Sequence, residues 1–312
     1  MSNRGGSSVG VALAALGLVL AVWGSLMLSG RQGEANERRQ AGSVTLPDRL
    51  DGFRADAWFL PDSELLGFVE IPAGSFTMGS NPGVDSLAFD VEWWGNGRVQ
   101  GLVELPTYYL ARTEVTVAQY AAFVRSSGHR LGDAQALEGP LDHPVTFVSW
   151  PDAVAYAHWL DGALRSETPD DPALARLLAD GWHVSLPSEA EWEKAARGTD
   201  ARIYPWGSEA RRDRANYRGR GTTPVGSLPC PECPYPLTDM AGNVWEWTRS
   251  PYRPYPFADS PQTIDLRADA LWVMRGGSFG DPEQFVRAAN RGGADPGARR
   301  PFIGFRVALV RE

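Results

Sequence analysis

The sequence predicts an α+β domain in which irregular structure outweighs regular structure. Three observations carry that prediction. Glycine, proline and tryptophan are abundant, at 34, 24 and 12 of 312 residues, while lysine is nearly absent. That is a composition of turns and aromatic anchors, not of a helical bundle. Three helix starts are written with their caps, and many short, turn-bounded β-like segments stand between them, with no repeat in the 20–50-residue range of solenoids.

In chain order, residues 1–8 form a short polar tail. Val9–Gly30 carries no charge across 22 residues. At about 1.5 Å per helical residue it is long enough for a bilayer core of roughly 30 Å, so a single transmembrane anchor is expected. A cleaved signal peptide is the rival reading, but the run exceeds the roughly 7–15 residues usual there and the small-x-small cleavage pattern is weak. Residues 31–66 combine a polar, charged tether with a segment of no assigned structure that holds Trp58, Phe59 and Leu60.

The main domain is expected over 67–312. GFVEIPAGSFTMGS reads as a strand, a Pro-Ala-Gly turn and a second strand. LPTYYLARTEVT reads as a strand running into a helix over Val117–Ser126, with Thr116 and Gln119 as its capping box and Gly128 as its stop. A second helix begins at Ser149, with Asp152 in its first turn and Ala153, Tyr156, Ala157 and Leu160 on one face. A third begins at Ser188 with Glu191 as box partner and closes at Gly198. From Tyr204 onward the chain is rich in turns and aromatics, so its backbone groups must find partners among side chains, water or ions.

Composition also excludes functions. The net charge is −8 without a basic stripe, which argues against nucleic-acid binding. Cys230 and Cys233 are the only cysteines. They stand as a lone Cys-x-x-Cys with neither a helix start nor a second ligand pair, so a disulfide clipping one loop is the expectation, with free thiols and redox or metal duty as alternatives. His129, His143, His158 and His183 make no metal-binding spacing. No G-x-S-x-G elbow marks a serine nucleophile.

Eight blocks, in order, carry a resemblance. They are IPAGSFTMGS at 71, ARTEVTVAQYAAF at 111, HPVTFVSWPDAVAYAHWL at 143, LPSEAEWEKAARG at 186, YPWG at 204, DMAGNVWEWT at 239, RGGSF at 275 and IGFRVAL at 303. With these the chain resembles the formylglycine-generating enzymes, the sulfatase-modifying factors. The resemblance implies a fold related to C-type lectins, often with bound calcium. Active members oxidise a sulfatase cysteine with copper held by two thiolates, spaced Cys-x4-Cys after the Gly-Gly-Ser block. The matching positions here are Asp281 and Val286. A carboxylate and an isopropyl group do not suit Cu(I), so no catalytic residue is assigned and copper is not expected.

The resemblance also implies calcium at the DMAGNVWEW loop, through the side chains of Asp239 and Glu246 and the backbone oxygens of Gly242 and Val244. The alternative is a tight turn with Glu246 paired to an arginine. Around the glycine-rich stretch beyond it, Arg275, Asp281, Glu283, Arg287, Asn290 and Arg291 are candidates for holding a ligand. The competing reading makes some of these arginines internal struts.

The function expected is therefore a membrane-anchored, non-catalytic domain that binds a protein or other ligand, or serves as an accessory subunit of a membrane complex. The alternative is a protein-modifying oxidoreductase of the same family. Arg31, Arg38 and Arg39 after the span, against Arg4 before it, slightly favour a cytoplasmic domain. Export is the expectation taken, because short-tailed single anchors usually translocate the domain behind them and because of the resemblance.

Overall fold

Each of the three expected capping boxes is closed in the computed structural model, which describes residues 45–95, 97–167, 170–256 and 270–311. Helix α1 spans Val117–Ser127: the Thr116 hydroxyl accepts from the Gln119 amide, the Gln119 side chain accepts from the Thr116 amide, and Gly128 stops the helix in the left-handed region. Helix α2 spans Trp150–Ser166 on the Ser149–Asp152 box, and Ala153, Tyr156, Ala157 and Leu160 are all buried. Helix α3, Pro172–Ala179, was not expected. Its start is nonetheless written, with Asp171 as N-cap, Pro172 at the first position and Leu174 and Leu178 buried four residues apart. Helix α4 spans Glu189–Arg197 on the Ser188–Glu191 box.

Among the described residues, twelve short strands complete the domain. They are β1 (Phe53–Arg54), β2 (Leu60–Pro61), β3 (Phe68–Ile71), β4 (Gly74–Gly79), β5 (Gln100–Leu105), β6 (Tyr108–Ala111), β7 (His183–Ser185), β8 (Trp245–Pro251), β9 (Trp272–Arg275), β10 (Arg291–Ala294), β11 (Ile303–Phe305) and β12 (Ala308–Val310). One four-stranded sheet has the order β3-β6-β12-β7, and a second has the order β10-β9-β8-β11. The β11–β8 pairing is parallel. β3 and β4 are joined by the Pro-Ala-Gly turn but do not form a hairpin. β3 pairs with β6 and β4 pairs with β5, because Gly74 at φ +130° redirects the chain out of the first sheet.

Residues 46–66, left unassigned by the sequence, belong to the folded unit Leu46–Glu312. Leu46, Leu50, Phe53 and Trp58 pack with buried Phe59 against Ala118 and Ala122 of α1, and the Gln119 side chain donates to the Phe59 carbonyl at 3.0 Å. One core cluster lies between α4 and the first sheet. Trp192, Ala195 and Ala196 meet Val69, Ile71, Tyr108, Leu110, Ala308 and Val310 there. At about 1.5–3 kcal/mol for each large apolar side chain removed from water, this cluster is a main source of stability. The expected anchor Val9–Gly30 lies outside the described residues. Among the described residues no helix is long and apolar enough to cross a membrane.

Candidate functional site

The chain reaches the glycine arch from β9. Gly276 and Gly277 have φ of +97° and +72°, and space as well as torsion requires the second. A Cβ on Gly277 would stand 2.6 Å from the Phe285 carbonyl oxygen and 2.8 Å from Val286 Cγ1. The arch and the 281–286 loop are thereby pressed together.

The two positions that would hold thiolates have other duties. Asp281 Oδ2 accepts from the Ser278 amide at 2.9 Å, the Ser278 hydroxyl at 2.7 Å and Trp245 Nε1 at 2.9 Å. Its carboxylate ties the arch to β8. Val286 is fully buried in a cluster with Tyr204, Ala215, Tyr217 and Ala241. One position is a hydrogen-bond anchor and the other is core, so a soft metal finds no donor pair there.

The expected arginine-bearing surface is corrected by the structure. Arg275, Arg287 and Arg291 are buried, and carboxylates of the chain itself occupy their guanidinium groups. Arg275 donates to Glu189 at 3.2 Å and to Glu193 at 2.6 Å, and also to the carbonyls of Ala288 and Ala289. Arg291 takes both oxygens of Glu189 at 2.8 and 2.7 Å and lies 4.0 Å over the Tyr255 ring. Arg287 pins Asp85 at 2.6 Å and Glu92 at 2.9 Å, which holds the 80–95 loop against the arch. Asn290 donates to the Phe285 carbonyl at 2.7 Å. Glu283 is the more open member and is paired with Arg218 at 2.6 Å. In a domain with short strands, bidentate arginine bonds take over part of the work that sheet ladders do elsewhere.

The sequence reading missed the acidic half of this lattice. Glu189 and Glu193 lie four residues apart on α4, both fully buried, facing Arg275, Arg291 and Arg197. The charges of EAEWEKAAR do not announce this by themselves; only once the structure buries Glu189, Glu191, Glu193, Lys194 and Arg197 must those groups find partners inside.

At the loop implied to bind calcium, Glu246 is fully buried and committed. Arg306 Nε and Nη2 reach its two oxygens at 2.6 and 2.7 Å, and Trp192 Nε1 donates to it at 2.7 Å. Asp239 sits at φ +57°. Its Oδ2 accepts from the Gly226 amide at 2.7 Å, and its Oδ1 has no partner among the described residues. Burial above all pushes the Asp239 carboxyl above its ordinary range. Gly242 must be glycine, since a Cβ would come within 2.2 Å of the Asn216 carbonyl oxygen. Val244 is a fully buried side chain leading into β8. Among the described residues no three His, Cys, Asp or Glu side chains converge as a metal cluster. The quartet implied by the motif therefore fits a calcium ion poorly at Glu246, where an arginine already supplies the positive charge.

Two further features lie outside this centre. Cys230 and Cys233 are joined in a disulfide. The tight loop presents Glu232 to Arg214 at 2.7 Å and to Arg211 at 3.3 Å. The histidines are scattered: His129 meets Asp152 at 3.1 Å and His143 meets Thr222 at 2.8 Å.

The layout of sheets, helix α4 and glycine arch defines a class. Residues 60–311 match the sulfatase-modifying factor enzyme 1-like domain, and the chain belongs to that family. It is 32% identical over 317 residues to the formylglycine-generating enzyme of Thermomonospora curvata, covering 80% of this chain and 95% of that enzyme. It is 32% identical over 191 residues to the inactive C-alpha-formylglycine-generating enzyme 2 of Bos taurus, covering 57% of this chain and 54% of that protein. A match to the serine/threonine-protein kinase pkn1 of Chlamydia pneumoniae, 37% identical over 176 residues, spans 54% of this chain and 24% of that protein. Among solved structures, PvdO from Pseudomonas aeruginosa superposes with a TM-score of 0.63 at 28% identity, over 78% of this chain and 93% of that one.

Proposed function

We propose that this protein is a non-catalytic member of its family, a binding or accessory domain carried on the N-terminal segment Val9–Gly30 as a membrane anchor and exported. The observation that carries the reading is the pair of positions after the arch. Asp281 spends one oxygen on three donors, and Val286 is sealed in the core. The ion-pair lattice behind them is intact, so the scaffold stands without the oxidase chemistry. The similarity to a relative named as inactive supports the same view. The disulfide accords with an oxidising compartment outside the cytosol. The partner in this reading is a protein of the membrane or its outer face.

The second reading, a protein-modifying oxidoreductase, is favoured by the near full-length similarity to a formylglycine-generating enzyme. One experiment separates the two. The full chain, purified in detergent and supplied with copper and oxygen, is incubated with a sulfatase-type cysteine peptide, and the product is followed by mass spectrometry. No aldehyde is the expected result. Turnover that persists in the Cys230→Ala, Cys233→Ala variant would defeat the non-catalytic proposal. Co-purification of a stoichiometric membrane partner under mild detergent would identify the accessory role.

A further inference from the structure

The loop between β4 and β5 is folded with its polarity inverted. Its carboxylates Asp85 and Glu92 are buried, while Val84, Leu87, Val91 and Trp93 stand exposed, at 75, 41, 44 and 39%. Among the described residues these are four of the seven exposed large apolar side chains, and they fall within ten positions. The inversion is imposed from behind. Arg287 holds Asp85 and Glu92 inward, and Phe89 stacks on Phe285 at 5.4 Å beneath the same guanidinium. Arg291 holds the Val91 carbonyl at 3.3 Å. Trp94 turns inward and stacks on Tyr255 at 5.1 Å, which leaves its neighbour Trp93 outside. A loop pinned in this way cannot fold its apolar face under itself. An apolar cluster kept in water at such a cost marks a contact surface.

Three observations favour lipid as what covers it. The first is area. Four half-exposed side chains offer on the order of a few hundred Å², short of the roughly 800 Å² per partner of a standard protein complex. The second is the backbone. An apolar layer provides no partner for a bare amide, and the amides of Val84, Leu87 and Trp93 are already paired inside the loop, to the Asn81 carbonyl, the Asp85 carboxylate and the Asp90 carbonyl. The third is reach. Residues 31–44, between the expected anchor and the folded unit, span at most about 50 Å. That is close to the width of a domain this size, roughly twice a radius of gyration of about 18 Å. On the anchored reading, every face can therefore meet the bilayer. A contact too weak to hold a free protein suffices for a tethered one.

We infer that the 84–93 loop is a shallow membrane-docking face, whose Val84, Leu87, Val91 and Trp93 side chains enter the headgroup boundary of a zwitterionic lipid surface. The inference rests on the anchored reading proposed above. Asp90 is exposed amid the four and keeps the contact shallow. The net charge of −8 disfavours an anionic surface. Tryptophan suits the boundary, with an apolar ring and a polar N–H. Because Arg287 ties the loop to the arch, docking would also set the height of the arch above the bilayer.

The test uses the full chain reconstituted in phosphatidylcholine vesicles, with and without doxyl-labelled phosphatidylcholine. An environment-sensitive thiol dye is placed on Ser86→Cys, exposed within the loop, or on Ser166→Cys, exposed at the end of α2. The native cysteines are joined in a disulfide and do not compete for the dye. The dye at 86 is expected to emit to the blue of the dye at 166 and to be quenched by shallow doxyl groups where the dye at 166 is not. Adding Val91→Ser and Trp93→Ser should abolish both effects and leave the thermal midpoint nearly unchanged, as surface substitutions do. Water-like, unquenched emission at 86 from a chain that floats with the vesicles overturns the docking and leaves the anchor standing. A chain that does not float with the vesicles overturns the anchored reading and the docking with it. Blue emission at 86 without lipid quenching means that protein covers the loop, a second copy included, and overturns the inference. Quenching that survives Val91→Ser and Trp93→Ser overturns it as well.

Discussion

Arg306 grips Glu246 side-on, with Nε and Nη2 on the two carboxylate oxygens at 2.6 and 2.7 Å, and both side chains are fully buried. The remaining nitrogen bonds reach the carbonyls of Ala111, Arg112 and Thr238, so the same guanidinium ties the end of β6 to the 238–246 loop. Replacing Arg306 with Met strands a buried carboxylate and is expected to cost about 3–5 kcal/mol. Adding Glu246→Gln should restore part of that loss. Urea denaturation of the wild type, both single variants and the double variant measures the coupling.

Asp281→Ala leaves Trp245 Nε1 and the Ser278 hydroxyl without their acceptor. The expected loss is about 1–3 kcal/mol. Asp281→Asn, which keeps an acceptor oxygen, should lose less, and a ranking by thermal midpoint checks the order.

Cysteine substitutions report the two positions separately. Val286→Cys removes volume from a packed cluster and should cost about 0.5–1.5 kcal/mol, by analogy with Ile→Val. Its thiol should stay inert to a water-soluble thiol reagent in the folded protein. The Asp281→Cys thiol, at a half-buried place, should react first. Equal reaction rates would show that position 286 is open to solvent.

Acid weakens the fold through Asp152. Burial pushes its carboxyl up, but bonds from His129 and Ser149 and the charge of Arg299 outweigh that and hold it below its ordinary 3.8. A carboxylate with a depressed folded pKa contributes stability that is full above the unfolded value and is lost as pH falls through the folded one. Wild type should therefore lose stability on this account below about pH 4. Asp152→Asn should show a shallower acid limb in denaturation series between pH 7 and 2.

The disulfide encloses only two residues between its cysteines. On the loop-closure argument its removal should lower stability by about 2 kcal/mol or less. The comparison is the thermal midpoint of wild type and the Cys230→Ala, Cys233→Ala variant, each with and without reductant. The reductant should move wild type alone.

Range along the chain decided which features were legible in the sequence. Thr116, Ser149 and Ser188 were legible because a cap is a contact over three residues. The family's frame was legible because eight blocks stood in order. Segment 46–66 was not, since its order comes from Phe59 meeting Ala118 and Ala122 far along the chain. Helix α3 was missed because eight residues give little more than two turns of periodicity. The arginines were recognised as a group, but their burial was not. Arg275 to Glu193 spans 82 positions and Arg287 to Glu92 spans 195, and no local pattern names such partners.

The packing around Val286 also bears on how such a chain can change over time. A cysteine gained at 286 alone opens a gap beside Tyr204 and Tyr217 and gives one sulfur where copper needs two. A cysteine gained at 281 alone strips Trp245 and Ser278 of their acceptor and gives no more. Each half of such a cysteine pair costs stability by itself and offers a metal no second sulfur. On the non-catalytic reading proposed above, single substitutions toward a Cys-x4-Cys pair at 281 and 286 would therefore meet a stability cost before any chemical gain.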